Sequence, residues 1–137
     1  MKPASLFPVG KSDFQAIRQG NYHYVDKSLL IRDFLQSSAE VLLFPRPRRF
    51  GKTLNLSMLR YFFEKTGEER KNLFSGLLIE QEQDTWTHFQ KYPVIFLSLK
   101  DVKSSTWNES FQAIKGVLAR LYEEHRYLLE SPLLSPE

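Results

Sequence analysis

Apolar residues recur along this chain in two rhythms, and each predicts a different kind of element. Leu54, Met58, Leu59, Phe62 and Phe63 fall at helical spacing with Arg60 on the polar side, so a helix is expected from Lys52 up to Thr66-Gly67. Phe111, Ile114, Leu118, Leu121 and Tyr122 continue the same period toward Leu128 and Leu129 and predict a long amphipathic helix. Thr106 and Glu109 have capping-box spacing at its start, and Ser131-Pro132 terminates it. Two shorter helices precede these. Ser12 with Gln15 reads as a capping box and Gly20 as a stop; Asp26 then caps a second helix with Leu30, Phe34 and Leu35 on its apolar face, ending near Ser37-Ser38.

The second rhythm is continuous rather than periodic. Val41-Leu42-Leu43-Phe44, closed by Pro45, and Val94-Ile95-Phe96-Leu97-Ser98-Leu99, opened by Tyr92-Pro93, are runs suited to strands buried on both faces of a parallel sheet. Between the two runs, Leu73, Phe74, Leu77, Leu78, Trp86 and Phe89 predict short helices packed by aromatics within an acidic stretch. Strand, loop, helix, strand, helix implies right-handed crossovers, so the expected fold class is α/β with parallel strands and flanking helices. Two parallel strands cannot cover themselves, and the sheet is therefore expected to be incomplete in this chain.

Composition narrows the function classes. With 137 residues, 42% hydrophobic and 26% charged, the chain has the make-up of one globular domain or part of one. No apolar run approaches the roughly 20 residues of a membrane helix, so no membrane role is expected. The absence of cysteine removes disulfides, thiolate nucleophiles and Cys-ligated zinc. His23, His88 and His125 lack metal-ligand spacing, and no Ser/His/Asp arrangement can be argued. The opening residues lack a signal-peptide apolar stretch, which makes a cytoplasmic location the default expectation.

The net charge of +3 acquires meaning only when mapped. Between Glu40 and Glu64 there is no acidic residue, yet Arg46, Arg48, Arg49, Lys52 and Arg60 lie there, five of the 19 basic residues. The remainder of the chain is slightly acidic. An anion is the expected partner of that stretch.

Within it, Arg46-Pro47-Arg48-Arg49-Phe50-Gly51-Lys52-Thr53 stands between an apolar run and a helix, the setting of a phosphate-binding loop. Gly51, Lys52 and Thr53 match the second half of GxxxxGK[ST], whereas Arg46 occupies the first glycine position, so the Walker A match is degenerate. The chemistry of the matching half suits a phosphate. Gly51 lets an anion approach the backbone, and the first amides of the following helix have no intrahelical acceptor. Lys52 is expected to bind β- and γ-phosphates and the Thr53 hydroxyl to ligate Mg²⁺, with Arg46, Arg48 and Arg49 as auxiliary phosphate contacts.

At these residues the chain resembles the bacterial AAA-ATPase-like family, whose members read RPRRFGKT-LNLSML where this chain has residues 46–59. The resemblance extends upstream to Phe7-Pro8-Val9-Gly10, Asp13-Phe14 and the Tyr22-to-Ser28 segment, and downstream to the Tyr92-to-Val102 segment. It implies a P-loop NTPase-like domain binding ATP and Mg²⁺ through Arg46, Arg48, Arg49, Phe50, Gly51, Lys52, Thr53 and Leu54, often joined to an endonuclease-like domain. Family members continue to an acidic-ended Walker B strand for which nothing here reads, so residues 1–137 are expected to be the N-terminal part of such a domain. Asp101 closes an apolar run but stands at the family's second strand and is read as structural. ATP binding is then expected without hydrolysis by these residues alone.

Other readings stay open. Phe44, Phe50, Phe62 and Phe63 beside the arginines fit a nucleic-acid or polyanion module, although several occupy core positions and the rest of the chain is slightly acidic. An inactive fragment is a further alternative. Tyr22, Tyr24, Val25, Asp26 and Lys27 are read as a helix entry, while the resemblance to the ATPases implies a segment that passes near the base or ribose. If the sheet is incomplete, the apolar stripe of the last helix is left to mediate self-association.

Overall fold

The helical rhythm is realised. In a computed structural model of the chain, which describes residues 6–45, 47, 51–100 and 102–133, five α-helices follow in order: α1 (Phe14–Gln19), α2 (Leu30–Gln36), α3 (Lys52–Phe63), α4 (Gln83–Trp86) and α5 (Trp107–Glu124). Short 3-10 turns at Lys71–Phe74 and Leu78–Gln81 lead into α4, and another at Arg126–Glu130 follows α5. The chain divides into two compact units, Met1–Val94 and Ile95–Glu137. Among the described residues no helix is long and apolar enough to cross a membrane.

The α/β expectation is overturned. The described residues are mostly helical and contain no sheet; their β-type pairing amounts to two isolated parallel bridges, Leu6 with Tyr22 and Glu64 with Tyr92. The partial P-loop NTPase-like fold with parallel strands, expected from the order of elements, is therefore not what these residues form. The reason lies in how strands exist. A β-rich run becomes a strand only when a neighbouring backbone accepts and donates its hydrogen bonds, and among the described residues neither 41–44 nor 94–99 forms a strand. Val41 and Leu43 are 83% and 85% exposed, the opposite of a strand buried on both faces.

The first unit is held by aromatics around α3. Phe14, Ile31, Met58, Phe62, Phe74 and Ile79 are fully buried. The Phe62 ring sits 5.1 to 5.3 Å from those of Phe63, Phe74, Trp86 and Phe89. Edge-to-face and tilted pairs of this kind contribute about 0.5–1.5 kcal/mol each beyond the area they bury. The expected short helices of the acidic stretch are thus present, and the stretch places Leu73, Phe74, Leu77 and Ile79 in the core.

Polar contacts fix the joints. The α1 amides are capped by Asp13, whose Oδ2 accepts from Ala16 N at 2.9 Å, rather than by Ser12 as the capping-box spacing suggested. Asp26 does not cap α2, whose N-cap is Leu29. Its carboxylate instead accepts from Ser28 N at 2.8 Å and from Leu78 N at 2.7 Å, while the buried Ser28 hydroxyl accepts from Ile79 N at 3.1 Å. Arg18 donates to the Leu73 and Ser75 carbonyls at 2.7 and 2.6 Å. At the far end of α3 the helix stops at Phe63, short of Thr66-Gly67. There Gln90 N and Tyr92 N return to the Phe62 and Phe63 carbonyls at 2.8 and 3.0 Å, supplying donors that a helix C-terminus lacks internally.

In the second unit, Thr106 caps α5 as expected, its Oγ1 accepting from Glu109 N. The predicted single helix is interrupted at His125, beyond which the chain tightens into the 3-10 turn ending at Ser131. No α5 residue is fully buried, and Trp107 stacks on Phe111 at 5.7 Å.

Candidate functional site

The site begins with a backbone conformation. Gly51 is the N-cap of α3 at φ 74°, ψ 18°, the left-handed region. A Cβ added at this position would meet nothing within 4 Å among the described residues, so the requirement for glycine is conformational. Among the described residues no side-chain cap is recorded at this terminus. The first-turn amides lack intrahelical acceptors, and the Asn55 N–H is the first to close back, onto the Gly51 carbonyl at 2.9 Å. The helix dipole adds partial positive charge at the same end.

Lys52 and Thr53 are the first helical residues and both are exposed. Leu54 is half-buried and packs against the core, so it holds the loop's helix in place. The remainder of α3 is anchored by Ser57, Met58, Leu59, Phe62 and Phe63, all buried. Arg46, Arg48, Arg49 and Phe50 lie outside the described residues, as does Asp101.

Arg60 leaves the basic cluster. Its Nε donates to Glu64 Oε1 at 3.1 Å, one turn further along α3, and eight residues at 1.5 Å each place it about 12 Å from Lys52 along the axis. Arg60 therefore stands apart from the start of α3, leaving Arg46, Arg48, Arg49 and Lys52 as the basic residues of the loop segment in the sequence.

The Tyr22-to-Lys27 segment is mostly structural. Tyr24 donates its hydroxyl to Met58 Sδ at 3.3 Å and packs edge-on to Phe14, and burial pushes its pKa up to about 12. Burial raises the Asp26 carboxyl, but hydrogen bonds from Ser28 and Leu78, with Arg18 nearby, outweigh it and hold the pKa below the ordinary aspartate value. Among the described residues no group of three His, Cys, Asp or Glu side chains is placed to hold a metal ion.

One feature escaped the sequence reading. A groove of about 560 Å³ opens beside the start of α3, lined by Lys52, Asn55, Leu56 and Leu59 of that helix, by Leu30 and Asp33 of α2 with Lys27 and Leu29 before it, and by Leu42, Leu43 and Phe44. Its signal was present in the spacing of Lys52, Asn55, Leu56 and Leu59, which share one helix face. Nothing in the pattern told that residues 42–44 would line a groove instead of pairing in a sheet.

The site thus consists of a left-handed glycine followed by exposed lysine and threonine, on a helix rooted in the core. The AAA-ATPase-like family, described as "Predicted AAA-ATPase", matches residues 8–132. The chain belongs to this family, and membership points to nucleotide binding in general terms. It is also 38% identical over 92 residues to an "Uncharacterized protein in vnfD 5'region" of Azotobacter chroococcum mcd 1, a match covering 66% of this chain and 16% of that protein. The match thus spans about one sixth of the relative's length. No solved structure matches the chain.

Proposed function

We propose that the loop and helix start at residues 46–54 bind ATP with Mg²⁺. The observation that carries this reading is Gly51, left-handed and immediately before the exposed Lys52 and Thr53. These residues fit the group. The first-turn amides and the Lys52 ammonium hold the β- and γ-phosphate oxygens, and the Thr53 hydroxyl supplies one oxygen to Mg²⁺. Arg46, Arg48, Arg49 and Phe50 complete the proposed contact set, the arginines through charge-assisted bonds, and the half-buried Leu54 roots the helix start in the core. Mg²⁺ supplies charge neutralisation between the phosphates when bound.

The function proposed for these residues is binding and not hydrolysis. Hydrolysis in this class calls for an acidic group that holds the metal and orients water, and no residue of this chain is assigned that part. The test is calorimetric titration of the 137-residue chain with ATP–Mg²⁺ beside its Lys52→Ala variant. Saturable binding that falls at least tenfold in the variant is the expected result. Equal affinity in both would sink the reading.

A further inference from the structure

We infer that α5 pairs with the α5 of a second copy of this chain, antiparallel across a two-fold axis. The helix carries two apolar flanks that differ in exposure. Ala113, Ile114, Val117 and Leu121 form one and are half-buried. Trp107, Phe111, Leu118 and Tyr122 form the next and are 72%, 40%, 41% and 78% exposed. At 3.6 residues per turn these four fall within an arc of about 60°, so they make one continuous stripe and not scattered apolar positions. The unit that carries the stripe is short of packing, since none of its described residues from 95 to 133 is buried. A unit of this size without a core of its own gains its stability by association, and a contiguous exposed apolar surface is where that association takes place.

The occupant that fits is a helix of equal length bearing the same stripe. Among the described residues the other α-helices run to at most 12 residues, against 18 in α5, and the longest of them, α3, buries its own apolar face. A second copy supplies what the chain itself does not. The stripe is also self-complementary: its steps are four, seven and four residues, so reversing the direction of the helix leaves the pattern unchanged. An antiparallel pair sets Trp107 opposite Tyr122 of the second copy and Phe111 opposite its Leu118, and the two-fold axis repeats both contacts. Such an interface is isologous and closes on itself, and the two helix dipoles oppose each other. Lys115, next to the axis, lies over the Phe111 ring of its own helix at 4.5 Å, so the two ammonium groups lean toward opposite ends of the pair. Helices of 18 residues, about 27 Å long, bury on the order of 1,000 Å² in total when paired along one face, the low end for a specific interface. The dimer is therefore concentration-dependent.

The experiment is sedimentation equilibrium of the full chain between about 1 and 200 μM, the range in which an interface of this size associates. The mass of the parent is expected to rise from 16.1 kDa toward twice that value. Leu118→Glu and Tyr122→Glu each put a carboxylate into the stripe at an exposed position, and each is expected to weaken the dimer about tenfold or more. Gln112→Glu adds the same charge on the polar side of α5 and is expected to leave it unchanged. Circular dichroism verifies that the variants keep their helix. Orientation is read by cross-linking, because the chain has no cysteine to interfere. Lys115→Cys stands beside the axis and is expected to form a disulfide between copies under mild oxidation, whereas Trp107→Cys, about 22 Å from its counterpart in an antiparallel pair, is not. A parent that stays at 16.1 kDa at the highest concentration, a dimer unaffected by both stripe variants, or a disulfide through Trp107→Cys overturns the pairing.

Discussion

The Ser57 hydroxyl donates to Asp13 Oδ1 at 3.2 Å, and its own Oγ accepts the Phe14 amide at 3.0 Å. One buried serine on α3 thereby completes the N-terminus of α1, 43 residues away, and fixes the helix that carries Lys52 against its neighbour. Removing the hydroxyl leaves a buried N–H without its acceptor. Ser57→Ala is expected to lower stability by about 1–3 kcal/mol, measured by urea denaturation. Unchanged stability would mean that the contact is replaceable by water.

Gly51 tests the conformational requirement at the site. An L-residue at φ 74° is strained, and Gly51→Ala is expected to cost about 1–2 kcal/mol. Among the described residues no steric clash adds to this, because nothing lies within 4 Å of the added Cβ. Gly51→Asn, which tolerates the left-handed region better, is expected to lose less. Thermal melts of the two variants decide it: an alanine as stable as glycine would contradict a left-handed cap in solution.

Particular residues show why the sequence told some of this and not the rest. The start of α3 at Lys52 and the Thr106 cap of α5 were legible because both depend on neighbours a few residues away. The run at residues 41–44 was misread because its composition is right for a strand while its pairing depends on chain elsewhere, and no sheet forms. Asp13 and Ser12 are equally good caps locally; Ser57 and the Ala16 amide select Asp13. Asp26 reads locally as a helix cap because its bond to Leu78, 52 residues on, has no local signature. At the site, the loop chemistry was visible in Gly51-Lys52-Thr53, but the groove needs α2 and residues 42–44 brought beside α3.

Core aromatics offer a second stability test. Phe62 is fully buried and touches four other aromatic rings, so Phe62→Leu keeps most of the volume while removing the ring contacts, and Phe62→Ala opens a cavity. The alanine variant is expected to lose about 3–5 kcal/mol, the leucine variant considerably less. Denaturant titration with matching m-values checks this. A Phe62→Ala cost under about 1 kcal/mol would contradict a packed aromatic centre.

Asp26 makes the stability of the first unit depend on pH in a calculable direction. Its folded pKa lies below the ordinary aspartate value, because the bonds from Ser28 and Leu78 outweigh the effect of burial. A carboxyl whose pKa is depressed by folding contributes stability that is fully present above its unfolded pKa, near 3.9, and is lost as pH falls through the folded value. The protein is therefore expected to lose this contribution below about pH 4. In Asp26→Asn the charge is gone but one carbonyl oxygen remains, so neutral-pH stability falls by about 1–2 kcal/mol. The variant's stability then changes less than the parent's between pH 5 and pH 2.5, a window set by that pKa. Urea titrations of both proteins across this range provide the check. Parallel pH profiles would show that the Asp26 carboxylate does not hold the Leu78 amide in the folded state.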